Sequence, residues 1–193
     1  MTKRQEEIIK TSIDIISEKG IQHLTIKNLA GAIGISEPAI YRHFESKMEI
    51  LISILNKFEN YIKSEKELIT REDISSIEKI GSIFLYHFVH FKDNPAFAAV
   101  IFSEEIFRDE KRLSDKVFSI ISSNFEMIRV IVRKGQRKNE IRTDINEEQI
   151  TDIIMGALRL IVKKWRLSNR SFDIEMEGMK LWDSIKMMIT DNI

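Results

Sequence analysis

The sequence predicts an all-α protein of about nine helices. Only two prolines and seven glycines occur among its 193 residues, and apolar side chains recur every three or four positions over long stretches. That spacing is typical of helices with one buried face. The alternation of apolar and polar residues that marks a half-buried strand is essentially absent. Helices are short up to residue 47 and longer afterwards, which indicates an N-terminal unit (1–47) and a larger bundle (48–193).

Three helices are expected in the N-terminal unit, and residues typical of helix ends delimit them. Gly20 and Gly34 follow the first and the second helix, where glycine is favoured because it adopts the left-handed conformation without strain. Thr25 precedes the second helix, residues 26–33, and its hydroxyl can accept a hydrogen bond from the first turn. Ser36 is placed to cap the third helix in the same way.

Six longer helical segments are expected in the bundle. Their predicted ranges are 48–68, 77–92, 95–107, 111–138, 147–167 and 172–189. The second of them is apolar almost all round, which indicates an enclosed helix near the centre of the bundle. The stretch 135–146 is polar and is expected to be a connector.

Composition excludes several classes of protein. The chain has 30 basic and 30 acidic residues and no cysteine, so disulfides and thiolate catalysis are excluded and a reducing cytoplasm fits best. The longest run without a charged residue is twelve residues, 80–91, whereas a membrane-spanning helix needs about 18. The N-terminus mixes charges among its isoleucines, unlike a secretory signal. We therefore expect no contact with a membrane.

The second and third predicted helices, joined by a turn at Gly34, form a helix-turn-helix. Ile40 and Phe44 provide the inner face of the third helix, whereas Tyr41 and His43 point away from it. An ordinary helical hairpin would normally bury such aromatic side chains. In a DNA-binding helix-turn-helix, the second helix enters the major groove, and its outward side chains would then meet DNA.

Further side chains of this region are placed for phosphate groups. Lys47 lies just beyond the third helix, and Thr25 and Lys27 lie at the start of the second helix, where free N–H groups favour an anion. Residues 1–47 contain seven basic and six acidic side chains, which leaves one net positive charge. Non-specific affinity for DNA should therefore be modest, and a dimer that presents two such units is expected.

Residues 25–51, TIKNLAGAIGISEPAIYRHFESKMEIL, together with the preceding EKGIQHLT (18–25), resemble the DNA-binding signature of the TetR (tetracycline-repressor) family of bacterial and archaeal transcription regulators. The resemblance implies a homodimer in which helices one to three bind operator DNA. It also implies that a six-helix body binds a small ligand that releases the DNA.

The resemblance implies DNA-binding roles for residues at the start of the second helix and in and around the third, Ser36 among them. Phosphate contacts would be Thr25, Tyr41, Lys47 and, as a fourth, His43. Side chains facing base edges or the thymine methyl would be Lys27, Glu37, Pro38, Ala39 and Arg42. Glu37 departs from the uncharged residue more usual there, and it either accepts from a cytosine amino group or simply favours the start of the helix. Arg42 has the best claim to read sequence, because a guanidinium can bind guanine through two hydrogen bonds.

Aromatic residues concentrate in the middle of the chain, where eight of the eleven phenylalanines lie between residues 84 and 125. One interpretation is a filled core. The other is an apolar cavity for a hydrophobic ligand, which the resemblance places between the fifth, seventh and eighth helices. The candidate pocket residues are Phe84, Phe88, Phe118, Phe125, Met155 and Trp165.

One group of side chains has the composition of a zinc site. His87 and His90, with Glu104 and Glu105, could hold zinc, but such histidines are more often hydrogen-bonded core residues. We expect no metal and no cofactor. Motifs of several enzyme classes are absent from the sequence, namely the Gly-x-Ser-x-Gly elbow, the phosphate-binding glycine loop and the HExxH zinc motif. We therefore do not expect an enzyme.

The last two predicted helices each carry apolar residues on more than one side. In the first of them, Ile153, Gly156 and Leu160 form a second stripe beside the one that contains Ile150 and Ile154. A helix at the edge of a monomer needs only one apolar face, so these helices are expected to form a homodimer interface. Two half-sites in the operator would then lie about 34–36 Å apart or a little more.

Two functions remain open. The first is a DNA-binding transcription regulator, most simply a repressor, that a small apolar effector releases from its operator. The alternative is a DNA-binding protein of the same fold without an effector, which organises the chromosome or regulates division. An interior cavity favours the first function, and a filled body with many genomic sites favours the second.

Overall fold

The computed structural model describes residues 1–63, 70–102 and 110–190. In these ranges the chain forms nine α-helices, one short 3₁₀ helix (Ile21–His23) and no strand, so the predicted all-α class is confirmed. The helices are α1 (Lys3–Lys19), α2 (Ile26–Ile33), α3 (Glu37–Tyr41), α4 (Lys47–Lys63), α5 (Ser76–Asp93), α6 (Pro95–Ile101), α7 (Lys111–Arg137), α8 (Glu147–Leu167) and α9 (Ile174–Ile189). No described helix combines the length and the apolar character that crossing a membrane requires.

Helix ends agree best with the sequence where a capping residue marks them. Helix α2 begins after Thr25, whose hydroxyl accepts from the Asn28 N–H at 3.1 Å, and ends at Gly34 with φ +78°. Helix α8 begins after Asn146, whose side chain accepts from the Glu148 N–H at 2.7 Å. Both helices have the predicted bounds. The predicted helix ends at residues 68 and 107 lie outside the described residues.

The helices group into two compact units. Unit 1 comprises residues 1–61 and 94–118, and unit 2 comprises residues 62–93 and 119–193. The boundary predicted between residues 47 and 48 falls inside unit 1 and stays a prediction.

Unit 1 has a core of isoleucines and aromatic rings. Helix α1 buries four isoleucines, Ile8, Ile9, Ile15 and Ile16, on one face, and it packs against α2 and α6. The rings of Phe58 in α4 and Phe97 in α6 have centroids 5.5 Å apart. Ion pairs from Lys116 to Glu59 (2.9 Å) and from Arg112 to Glu49 (2.7 Å) attach the start of α7 to α4.

Unit 2 is built around the contact between α5 and α9. The rings of Phe84 and Trp182 have centroids 5.2 Å apart, and Phe88 packs edge-to-face on Phe84 at 5.7 Å. Glycines allow this close approach, because a Cβ on Gly81 would collide with the Trp182 indole and one on Gly178 would collide with the Phe88 ring. Eleven residues of α5 are buried. The sequence pattern of this helix, apolar almost all round, had predicted such an enclosed position.

The connector between α7 and α8 is ordered by its own hydrogen bonds. The Gln136 amide donates to the carbonyls of Arg142 and Ile145, both at 2.9 Å. The Arg142 N–H donates to the Ile189 carbonyl at 2.9 Å and so supplies a partner to the last turn of α9. Ile141 is buried against Gly135. The polar connector predicted at 135–146 therefore contains an apolar anchor.

Candidate nucleic-acid interface

The turn between α2 and α3 is set by local hydrogen bonds. Gly34 is left-handed, and the N–H groups of Gly34 and Ile35 both donate to the Ala30 carbonyl, at 2.9 and 3.0 Å. The Asn28 side chain donates to the His23 carbonyl at 2.9 Å, which holds the approach to α2. These bonds end α2 and fix a short turn, so that α3 follows almost at once, as a helix-turn-helix requires.

Helix α3 is anchored on one side by two apolar residues. Ile40 has no exposed surface and Phe44, just beyond the helix, is 7% exposed. The Phe44 N–H donates to the Ile40 carbonyl at 3.1 Å and continues the helical path past Tyr41. Because α3 has only five residues, its position depends on this packing more than on its own hydrogen bonds.

The opposite side of α3 faces solvent. Tyr41 is 51% exposed, although tyrosine in a helical hairpin is usually buried. Four further predicted contact residues of the segment are exposed, namely Ser36, Glu37, Pro38 and Arg42, whereas Ala39 and His43 are half-buried. The predicted division of this segment into an inner apolar side and an outer polar side is therefore present in the structure.

Ser36 occupies the N-cap position of α3 with extended backbone, φ −78° and ψ 153°, but its hydroxyl makes no capping hydrogen bond. Its carbonyl accepts from the Ala39 N–H at 2.9 Å instead. The prediction that the Ser36 side chain caps the helix is therefore wrong. Pro38 lies in the first turn, where its missing N–H removes no helical bond, so the helix forms without a side-chain cap.

Three other predicted DNA-contacting residues flank α3 in the sequence. Thr25 and Lys27 at the start of α2 are exposed, and Lys47 at the start of α4 is half-buried. Partial burial lowers the pKa of the Lys47 ammonium group, because the charged form loses hydration. A phosphate beside it would favour the charged form again.

A polar contact from α1 to the end of α3 was not predicted. The Gln5 amide nitrogen donates to the His43 carbonyl at 3.3 Å. The Gln5 side-chain oxygen accepts from the Thr2 N–H at 3.0 Å, and the Thr2 hydroxyl accepts from the Gln5 N–H at 3.2 Å. The Thr-x-x-Gln spacing is typical of a capping box and could have indicated the two bonds between Thr2 and Gln5. No sequence pattern indicates the bond from Gln5 to His43.

The six predicted pocket residues have different surroundings. Phe84 and Phe88 are fully buried in the core of unit 2, and Trp165 is 4% exposed. Phe125 and Met155 are half-buried. Phe118 belongs to unit 1 and is 72% exposed. The assignment of these residues to one pocket stays a prediction.

His87 and His90 are both buried in α5. Burial, and for His87 also the neighbouring His90, lowers the pKa of each imidazole to about 4. The His87 ring stacks on Phe91 with centroids 6.0 Å apart. Within the described ranges no three His, Asp or Glu side chains are grouped for a metal ion. Glu104 and Glu105 lie outside these ranges.

Helices α8 and α9 in unit 2 carry several exposed apolar side chains. In α8, Ile153 is 40% exposed, Leu160 60% and Leu167 78%, and in α9 Met176 is 54% exposed. Gly156 lies on the same side of α8 and is also exposed. An open cleft of about 640 Å³ adjoins this surface and is lined by Ile161, Lys164, Leu167, Ser168, Phe172 and Glu177. These are different residues from those of the predicted pocket.

Two family models together match almost the entire chain. One, described as bacterial regulatory proteins of the tetR family, matches residues 8–54. The other, described as the C-terminal region of YsiA-like protein, matches residues 54–189. The first match contains the whole of α2, the turn and α3, so it covers the exposed segment described above.

Two proteins are similar to this chain over most of its length. The chain is 27% identical to the nucleoid occlusion factor SlmA of Yersinia enterocolitica over 140 residues, which are 72% of this chain and 69% of that protein. It is 22% identical to the fatty acid metabolism regulator protein of Bacillus subtilis over 169 residues, 87% of this chain and 86% of that one.

A solved structure shows the same fold over nearly the full length. The crystal structure of the transcriptional regulator FadR from Bacillus subtilis, in complex with stearoyl-CoA, superposes with a TM-score of 0.77 and 21% identity and covers 97% of this chain and 98% of that chain. The matched family models, the all-α fold and the exposed helix of the helix-turn-helix agree with one another. The chain belongs to the TetR family of DNA-binding transcription regulators.

Proposed function

We propose that the protein is a transcription repressor that binds operator DNA as a homodimer and leaves it when a small apolar effector binds. The observation that carries the proposal is the two-sided character of α3. Ile40 is fully buried while Tyr41, on the outer side, is half exposed. A helix anchored in this way can enter the major groove without disturbing the core of unit 1.

Contacts with the groove divide by chemistry. Arg42 and Glu37 can reach base edges, and Ala39 and Pro38 can contact a thymine methyl. Lys27 is proposed to face the bases as well. Phosphate groups would be bound by Thr25, Tyr41, His43 and Lys47, which together fix the register of α3 but carry no sequence information.

The exposed apolar surface of α8 and α9 supports the proposed homodimer. Leu160 and Leu167 on α8 are more than half exposed, and exposed apolar side chains grouped on one helix face are typical of a protein interface. The lack of a side chain at Gly156 would let two α8 helices approach closely. Two copies are needed because the N-terminal segment 1–47 of one chain, with a single net positive charge, would bind DNA weakly.

The proposed effector is a long-chain acyl compound or an aromatic molecule. The proposal draws on the many phenylalanines in the middle of the chain and on the similar FadR structure, which holds stearoyl-CoA. Release requires that the effector bind a DNA-incompetent state more tightly than the competent one. Helix α4 begins at Lys47, directly after the helix-turn-helix segment, and would transmit the change along the chain.

The proposal is tested in two steps. Selection from a random duplex library should enrich a two-fold symmetric site, whose half-sites lie about one helical turn apart or a little more. The selected duplex is then titrated with stearoyl-CoA in the presence of protein. Release of DNA supports a long-chain acyl effector, whereas the absence of any enriched sequence would refute sequence-specific DNA binding.

A second candidate is DNA binding without an effector. Tight packing of Phe84 and Phe88 against Trp182 and Gly178 favours it, and the nucleoid occlusion factor SlmA is a similar protein. This alternative predicts that acyl compounds and aromatic drugs leave the protein–DNA complex intact. It also predicts occupancy at many chromosomal sites in a genome-wide binding experiment, where the repressor would occupy few.

A further inference from the structure

The Gln5 side chain joins the first turn of α1 to the far end of α3. Its amide oxygen accepts from the Thr2 N–H at 3.0 Å, and its amide nitrogen donates to the His43 carbonyl at 3.3 Å. The two residues it touches are 41 positions apart in the chain. Gln5 is half-buried, so water competes only partly for these bonds.

The orientation of the Gln5 amide follows from its two neighbours. One neighbour, the Thr2 N–H, is a donor, and the other, the His43 carbonyl, is an acceptor. Turning the amide over would set donor against donor and oxygen against oxygen. Only a carboxamide of this length satisfies both groups, because a carboxylate cannot donate and a methyl group cannot do either.

The backbone hydrogen bonds at the end of α3 lie within the helical path itself, since the N–H groups of Arg42, His43 and Phe44 donate to the Pro38 and Ile40 carbonyls, and they do not fix its tilt. The helix spans five residues, and its apolar anchors, Ile40 and Phe44, lie on one side. Packing on one side limits rotation of a short helix but resists tilting of its end less well. The bond to the His43 carbonyl acts at that end. It lies next to Tyr41 and Arg42, whose side chains point outward.

We propose that Gln5 is a positioning residue for DNA recognition: through its bond to His43 it fixes the tilt of α3 relative to α1. The inference rests on the proposed placement of α3 in the groove and adds a residue from outside the helix-turn-helix. Gln5 itself need not touch DNA. Its loss should weaken operator binding by allowing the end of α3 to move.

The competing explanation is that Gln5 only caps α1. Thr2 and Gln5 form a reciprocal capping box, and such boxes stabilise helices without any further role. The two explanations separate experimentally, because glutamate is the other residue typical of this position in a capping box. Gln5→Glu keeps the acceptor for the Thr2 N–H and removes the donor to His43.

Three variants of the full-length protein are compared. Thr2→Ala removes the hydroxyl that caps α1 but leaves a backbone N–H for the Gln5 oxygen, so the bond to His43 remains. Gln5→Glu does the reverse. Gln5→Met is neutral and similar in length, and it lacks both functions. Each variant is measured for its melting temperature and for its affinity for the selected operator duplex.

The expected result is a separation of the two measurements. Thr2→Ala should lower the melting temperature by about 2–4 °C with operator affinity unchanged. Gln5→Glu removes one intramolecular hydrogen bond, so it should lower the melting temperature by no more than Thr2→Ala does, but unlike Thr2→Ala it should also lose up to about fivefold in operator affinity, the value of one net hydrogen bond. Gln5→Met should lose both.

Measurements at several salt concentrations are the control for the negative charge that Gln5→Glu adds. Repulsion between a carboxylate and DNA phosphates weakens as salt is raised, whereas a positioning defect persists in Gln5→Glu at high salt and is present in the neutral Gln5→Met at every salt concentration. Wild-type affinity in both Gln5 variants would overturn the inference. An equal loss of affinity in Thr2→Ala would also overturn it, because capping alone would then explain the effect.

Failure of the proposed function has a different signature. Tyr41→Ala and Arg42→Ala are measured beside the other variants. If these two bind the duplex as wild type does, α3 is not the DNA-contacting helix and the proposed function fails. If they weaken binding while the Gln5 variants do not, α3 contacts DNA and only the inference about Gln5 fails.

Discussion

The ring of Phe88 lies directly against the backbone of Gly178. A Cβ placed on Gly178 would lie much closer to three ring carbons of Phe88 than van der Waals contact allows. Phe88 has no exposed surface and is held edge-to-face by Phe84 at 5.7 Å. The ring therefore has little freedom to move away, and glycine at position 178 sets the separation of α5 and α9.

Gly178→Ala should destabilise the protein. Alanine favours a helix over glycine by about 1 kcal/mol, but overpacking a filled core costs about 1–3 kcal/mol, and we expect the packing effect to prevail. Urea unfolding measures the difference. Gly31→Ala in α2 is the control, because a Cβ there meets open space, and it should leave stability unchanged or slightly higher. Wild-type stability in Gly178→Ala would show that Phe88 can shift.

Leu160→Arg should separate the proposed homodimer without unfolding the monomer. Leu160 is 60% exposed, so arginine fits on the surface of an isolated chain, but across a two-fold interface it would place two like charges near each other. Sedimentation equilibrium measures the change from dimer to monomer. Leu85→Arg, the same substitution at an exposed leucine of α5, should remain dimeric. A dimeric Leu160→Arg would exclude this face of α8.

Arg42→Ala and Tyr41→Phe should weaken DNA binding in different ways. If Arg42 reads a guanine, its loss removes about 1–3 kcal/mol of discrimination and narrows the gap between operator and random duplex. If Tyr41 contacts phosphate, loss of its hydroxyl weakens both duplexes by the same factor. Fluorescence anisotropy with both duplexes gives the two affinities. Equal losses for Arg42→Ala would assign Arg42 to the phosphate backbone.

Acid should destabilise the protein through its buried histidines. The pKa of His87 is lowered to about 4 in the fold, against an unfolded value of about 6.5. Between these values the unfolded chain binds more protons than the folded one, so stability is full above the unfolded pKa and falls as pH drops toward 4. For one such histidine the loss between pH 7 and pH 5 is about 2 kcal/mol.

His87→Gln should therefore reduce the pH dependence of the unfolding free energy over that interval. Glutamine keeps a hydrogen-bonding side chain but does not titrate. The comparison is made by urea unfolding at pH 7 and pH 5, with exposed His23→Gln as the control. If both variants keep the wild-type difference between the two pH values, protonation of His87 contributes nothing to acid destabilisation.

Local signals were sufficient to predict much of the fold. Thr25 and Gly34 delimit α2 because a hydroxyl cap and a left-handed glycine act within a single turn. The inner and outer sides of α3 followed from Ile40 and Phe44, since the helical period alone assigns residues to faces. These features depend on neighbours in sequence and need no knowledge of distant contacts.

Features that depend on distant partners could not be predicted. Phe118 carries an apolar ring at helical spacing, yet it is 72% exposed. Ile141 stands alone in a polar stretch and gives no periodicity, yet it is buried against Gly135. The bond from Gln5 to His43 joins residues 38 positions apart. In each case the outcome depends on which other element lies nearby, and periodicity does not encode that.

The inner side of α3 packs on the protein and its outer side faces solvent, which affects the substitutions that the helix can accept. Its fit to the rest of unit 1 depends on Ile40, Phe44 and a main-chain carbonyl, whereas the side chains proposed to meet base pairs are exposed or half-buried. Substitutions at Glu37, Ala39 or Arg42 could therefore redirect the protein to another DNA sequence at little cost in folding. If α3 enters the groove as proposed, the DNA sequence that the protein prefers could change without a loss of stability.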